Sequence, residues 1–113
     1  MKVHIEKRGE VTVVGLTGEL DTTTVPEVQA RLNGEVSDGV KLLLDMRKVR
    51  YMSSAGLRLL LSLYRKVQAR GGDLVLVGLS DPIRDTMEVT GFLTFFQAYE
   101  GLEDGMRVLE APR

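Results

Sequence analysis

Between Val40 and Gly78 two apolar runs are separated by one long amphipathic segment, an order that few folds accept. Val40-Lys41-Leu42-Leu43-Leu44-Asp45 is short, mostly apolar and ends in a carboxylate; Leu74-Val75-Leu76-Val77 is a second apolar run. Both read as buried strands. Between them Leu57, Leu60, Leu61, Tyr64 and Val67 follow the i, i+3, i+4, i+7, i+10 spacing of a helix with one buried face, which Leu59 and Leu63 widen. Arg58, Ser62, Arg65, Lys66 and Arg70 form the solvated side, and cations toward the C-terminal end suit the helix dipole. Gly71-Gly72-Asp73 stops the helix. Two strands joined by a helical crossover make a parallel βαβ unit, almost always right-handed. At its first turn stand Ser53 and Ser54.

The rest of the chain has to complete a sheet around that unit. Residues 2–7 alternate, with Val3 and Ile5 on one face and Lys2, His4 and Glu6 on the other. Alternation resumes at Val11, Val13 and Leu16 after Arg8-Gly9-Glu10, which predicts a β-hairpin. Gly18 to Thr24 reads as a polar loop. Thr24 then stands as N-cap, with Pro26 near the first helical position, for a short helix marked by Val25, Val28 and Leu32 and ended by Asn33-Gly34. Met46 to Met52 has no period and reads as a loop, with an extended piece at Val49 to Met52. Ser80-Asp81-Pro82 starts a helix with Ile83, Met87 and Thr90 inward, and Gly91 stops it. The run around Phe95-Phe96 predicts an edge strand. Leu102, Met106 and Leu109 sketch a last helix despite Gly105, whose presence costs about 1 kcal/mol against alanine. Ala111-Pro112-Arg113 reads as a frayed tail. The expected fold is α/β: a single domain over residues 1–113, with a mixed sheet, an N-terminal hairpin, a parallel βαβ core and about four flanking helices.

Most chemistry is excluded. The absence of cysteine removes thiol catalysis, cysteine-ligated zinc and disulfides. Fifteen basic against sixteen acidic residues give no footprint for nucleic acid or anionic membrane. No apolar stretch approaches the ~20 residues of a membrane span, and the N-terminus is no signal peptide, so a cytoplasmic protein is expected. His4, the only histidine, lies on a polar strand face with no triad pattern around it. Phosphate-loop and dinucleotide fingerprints are missing, and no cofactor or metal is expected. Asp21 and Asp45, both at element ends, could be neighbours, but two carboxylates alone make loop or cap partners more readily than a metal site. By position, Ser54 is a helix N-cap, and Ser53 could fill the same role.

From Val40 to Leu61 the chain resembles the signature of STAS domains, specifically bacterial anti-sigma-factor antagonists: an apolar strand, an aspartate, a short loop, then Asp-Ser-Ser/Ala-Gly-Leu opening a helix. Asp45 and Met52-Ser53-Ser54-Ala55-Gly56-Leu57 carry that likeness. Gly18-Glu19-Leu20-Asp21 with Thr24-Val25-Pro26 resembles the family's loop before its first helix, and Thr90-Gly91-Phe92 with Phe96 resembles its Thr-Gly-Leu ending. Two positions depart: Ser53 stands where the family usually has aspartate, and Arg58 where it often has glycine.

The resemblance implies a binding module rather than an enzyme. In that family the serine matching Ser54 is phosphorylated by a partner that is both anti-sigma factor and serine kinase; Ser53 is the alternative acceptor here. The unphosphorylated antagonist holds the partner and frees the sigma factor, and a metal-dependent serine phosphatase resets it. The implied partner surface comprises Asp21, Thr22, Thr23, Ser53, Ser54, Ala55, Gly56 and Arg58. An alternative from the same family is a STAS subunit of a transport or sensory-scaffold assembly without a phosphorylation switch. Neither implies direct contact with nucleic acid or insertion into a membrane.

Overall fold

A computed structural model describes residues 1–112. The chain runs β1 (Lys2–Arg8), β2 (Val11–Leu20), α1 (Val25–Asn33), β3 (Lys41–Met52), α2 (Ser54–Ala69), β4 (Asp73–Val77), α3 (Asp81–Val89), a 3-10 turn (Phe92–Phe95), β5 (Gln97–Tyr99) and α4 (Leu102–Glu110). One five-stranded sheet takes the strands in chain order; β1–β2 is antiparallel, and β2–β3, β3–β4 and β4–β5 are parallel. This is the expected hairpin joined to a βαβ core.

Strand alternation divides the core into two layers. Val14, Leu16, Leu42, Leu44, Met46 and Leu76 point to the face covered by α1, α2 and α3, where they meet Val28, Leu32, Leu60, Val67 and Met87. Val11, Val13, Leu43, Val75 and Val77 point to the opposite face, which α4 covers through Leu109, with Met106 and Leu102 beside it. Gly105 explains its own presence in α4: a Cβ there would lie 3.0 Å from Leu43 Cδ1 and 3.2 Å from Val75 Cγ1. The glycine gives up helix propensity for a close approach to the sheet.

Several expected boundaries move. β2 continues to Leu20 and β3 to Met52, so Gly18–Leu20 and Met46–Lys48 are strand, not loop, and the extended piece expected at Val49–Met52 is the end of β3. The irregular periodicity that hid them is physical: the β2–β3 register slips between Gly15 and Thr17 and again between Gly18 and Glu19, which breaks the inward–outward alternation. Phe95 and Phe96 lie outside the edge strand, which is β5; their rings pack instead against Tyr64, one tilted and one edge-on, with centroids 5.9 and 5.5 Å away. Thr90 is exposed rather than inward; its hydroxyl donates to the Thr86 carbonyl at 2.8 Å. Of the expected tail, Arg113 lies outside the described residues.

Candidate functional site

β2 and β3 run parallel and end together, with Leu20 matched to Met52. The Ser53 N–H donates to the Leu20 carbonyl at 2.8 Å, so the loop after β2 and the serine turn after β3 leave the sheet side by side. This is the carboxyl edge of parallel strands, where α/β sheets commonly present their binding groups. Asp21, Thr22 and Thr23 are thereby placed next to Ser53, Ser54, Ala55 and Gly56, though some thirty residues separate them in sequence.

Asp21 orders its own loop. Its Oδ1 accepts the Thr23 hydroxyl at 2.7 Å, the Thr23 N–H at 2.9 Å and the Thr24 N–H at 3.1 Å. Those donors, the Thr23 hydroxyl foremost, hold the Asp21 carboxyl below its ordinary value. Thr24 occupies the N-cap position of α1, but its side chain does not cap: the hydroxyl donates back to the Glu19 carbonyl at 2.7 Å and accepts the Asp21 N–H at 3.0 Å. The loop is tied to β2 rather than to the helix it precedes.

The serine turn corrects the expected capping. Ser53, not Ser54, is the N-cap residue of α2, with extended backbone (φ −82°, ψ 177°), and its hydroxyl makes no capping bond. Its Oγ is buried without a hydrogen-bond partner. Ser54 is the first helical residue and is exposed. Two backbone constraints set the helix start without a side-chain cap. One is the Ser53–Leu20 hydrogen bond; the other is Gly56, where a Cβ would lie 2.5 Å from Met52 Cγ and 3.1 Å from both Leu20 Cβ and Leu20 O. Only a hydrogen fits at Gly56. The first turn of α2 also carries no acidic residue of its own, so no side chain within the turn offers a carboxylate to its free N–H groups and positive dipole end.

Arg58 sits one turn further along α2, exposed, beside a groove between α1 and α2 lined by Val25, Gln29, Ala55, Leu59 and Ser62. Sequence reasoning missed Val25, Gln29, Leu59 and Ser62 as site residues. Helical spacing marks which residues face inward, but the groove exists only because α1 and α2 lie side by side.

Asp45 does not join this site. It is matched to Gly15, six residues before Asp21 along β2, a separation of ~20 Å of strand. It lies against Arg47, whose Nε and Nη2 donate to its two oxygens at 2.9 and 2.8 Å. Burial raises the Asp45 carboxyl, but the Arg47 hydrogen bonds and charge outweigh it and leave it below its ordinary value. Among the described residues no group of three or more His, Asp or Glu is placed to hold a metal ion. Among the described residues no helix is long and apolar enough to cross a membrane.

The STAS domain family model matches residues 2–105. The chain is similar to the anti-sigma-B factor antagonist of Listeria monocytogenes, 36% identical over 77 residues that cover 67% of this chain and 68% of the relative. The anti-sigma-B factor antagonist of Staphylococcus aureus is 33% identical over 91 residues, 80% of this chain and 84% of the relative. An anti-sigma factor antagonist from Mycobacterium paratuberculosis has a crystal structure that superposes with a TM-score of 0.88 at 26% identity, covering 97% of this chain and 94% of that one. The chain belongs to the STAS domain family.

Proposed function

We propose that this protein is an anti-sigma-factor antagonist that works by binding, without catalysing a reaction. Its partner is an anti-sigma factor that is also a serine kinase, and holding that partner frees a sigma factor in the cytoplasm. The binding surface is the paired edge of Asp21, Thr22 and Thr23 with Ser53, Ser54, Ala55, Gly56 and Arg58. Ser54 is the switch. Transfer of a phosphoryl group from ATP forms a bond from Ser54 Oγ to phosphorus, breaks the bond to the ADP oxygen, and passes the hydroxyl proton to a base of the kinase. A metal-dependent serine phosphatase returns the hydroxyl by hydrolysis.

The observation that carries this reading is the placement of Ser54: exposed, first in a helix, and not used as its cap. A hydroxyl in that position can enter a kinase without unravelling the fold. The phosphate it receives, about −1.5 to −2 in charge, is accepted by the helix dipole and free amides. Release of the partner then follows from the charge in the interface, which must be desolvated on binding. Phosphopeptide mapping after incubation with the cognate kinase tests this. Incorporation at Ser54, lost in Ser54→Ala, is expected; a Ser54→Ala protein that still accepts phosphate moves the switch to Ser53 or elsewhere and overturns the assignment.

A further inference from the structure

Arg58 follows Ser54 by four residues on α2, and both are exposed. Side chains at that spacing lie on one strip of the helix, with Cβ atoms ~6 Å apart. Among the described residues the arginines in ion pairs are Arg8, Arg47, Arg70 and Arg107; Arg58 pairs with no carboxylate. It is also the only charged residue lining the groove between α1 and α2, alongside Val25, Gln29, Ala55, Leu59 and Ser62. Ser53 Oγ, buried and unpartnered at the same turn, leaves the first amides of α2 without a side-chain acceptor.

We infer that Arg58 is an internal clamp for a phosphate on Ser54, and that the clamp withdraws the groove's single positive charge when the phosphate arrives. This rests on the reading of Ser54 as the modified residue. In the unphosphorylated protein the guanidinium is free at the groove wall, available to a carboxylate of a docked partner. A phosphate one turn away offers a doubly charged acceptor on the same helix strip, and a guanidinium fork matches phosphate oxygens in pairs. Ser54 modification therefore acts twice: it adds negative charge at the turn and strips positive charge from the groove. Arg58 is a positioning and recognition residue, with no part in the phosphoryl transfer.

The test uses the full chain with phosphoserine installed at position 54 during translation, so that no kinase is needed, and follows the phosphate by phosphorus NMR against pH. The acidic residues of the adjoining elements, Glu19 on β2, Asp21 on the loop after it and Glu27 on α1, are the same in every variant, as is the helix dipole. Their effects cancel in the comparison. Arg58→Ala is expected to raise the midpoint of the second phosphate ionisation by about 0.3–0.5 pH unit, a two- to threefold change in proton affinity, while Arg58→Lys keeps roughly half of the original effect. A midpoint unchanged within 0.1 unit in Arg58→Ala overturns the clamp. Because Arg58 is exposed, its variants are expected to retain the parent's far-ultraviolet circular dichroism, which is recorded on the same samples. If the cognate kinase instead marks another residue, the Ser54 reading falls while the titration still reports on Arg58.

Discussion

Replacing Gly56 by alanine puts two opposed effects in one position. Alanine is favoured over glycine inside a helix by about 1 kcal/mol, so Gly56→Ala in an open helix would stabilise. Here the new methyl would sit 2.5 Å from Met52 Cγ, and 3.1 Å from Leu20 Cβ and Leu20 O. Met52 Cγ belongs to a side chain and can swing away, but only into a well-packed layer, and Leu20 O is backbone already bonded to the Ser53 N–H at 2.8 Å. Relief must come from lifting the first turn of α2 off β2. Overpacking of this kind costs about 1–3 kcal/mol, and loosening the Ser53–Leu20 hydrogen bond about 1 kcal/mol more. The net is a loss of about 1–3 kcal/mol after the propensity gain. Urea unfolding monitored by circular dichroism would show a lower midpoint at unchanged slope, and the melting temperature would fall by about 4 °C per kcal/mol. Gly105→Ala is the internal control. Its methyl would meet only the side-chain ends Leu43 Cδ1, Val75 Cγ1 and Val77 Cγ1, at 3.0, 3.2 and 3.6 Å, so clash and propensity should nearly cancel. A Gly56→Ala protein as stable as its parent would refute the claim that close backbone approach fixes the serine turn.

The capping correction gives an immediate contrast. Ser54→Ala should change stability by less than about 0.5 kcal/mol, whereas Ser80→Ala, which removes the acceptor for the Ile83 N–H at the start of α3, should cost about 1 kcal/mol by the same unfolding assay. Arg47→Ala leaves Asp45, whose side chain is 17% exposed, without its bidentate partner. The Asp45 carboxyl, held below its ordinary value in the intact pair, should then titrate higher by carbon NMR, because burial is opposed only by the retained backbone N–H of residue 47 and the Lys48 charge. In the parent, the depressed carboxyl contributes stability that is present above pH ~4 and lost as pH falls through its folded value. The variant should lack that acid-limb contribution and lose about 1–2 kcal/mol at neutral pH. A variant whose Asp45 titrates where the parent's does would show that the Arg47 side chain is not what holds it down.

The sheet core and the long helix were legible because both are apolar patterns with a fixed period. Leu42 to Leu44, Leu74 to Val77 and the inward residues of α2 have no other place to go. The ends of β2 and β3 were illegible for a definite reason. Two register slips break alternation where the strands approach the site, so Gly18 to Leu20 and Met46 to Lys48 look like loop although both stretches are strand. The site shared that difficulty. Its residues could be named from their types and the resemblance, but the contact between Leu20 and Ser53 depends on parallel register, which no local window encodes. The Ser80 cap of α3 was legible, whereas side-chain capping at α2 failed for a related reason. Serine before a helix predicts a cap from local energetics, and in this chain the backbone contact with β2 settles the helix start instead. Gly105 illustrates a milder form of the same override: local propensity marks it as a defect, and the close approach of Leu43 and Val75 takes away most of what alanine would gain there.

The uncapped start of α2 connects these points to the proposed switch at Ser54. A serine that capped its helix would be stabilising in the unmodified state, and phosphorylation would have to break that bond before adding charge. At the first helical position the hydroxyl has no such role, so the energetic consequence of modification falls on whatever docks there. The rigid frame then matters more than the hydroxyl itself. Gly56 presses the turn against Leu20, the Ser53 N–H pins it to the same carbonyl, and Asp21 stiffens the adjoining loop through three hydrogen bonds. A flexible turn could move a new phosphate out of an interface at little cost. One held by the backbone of β2 and by packing on Met52 of β3 cannot, so the desolvation penalty must be met in full by the partner. On this argument the strength of the switch is set by the stiffness of the β2–β3 edge, and Gly56→Ala should narrow the affinity difference between the phosphorylated and unphosphorylated forms even where the protein remains folded.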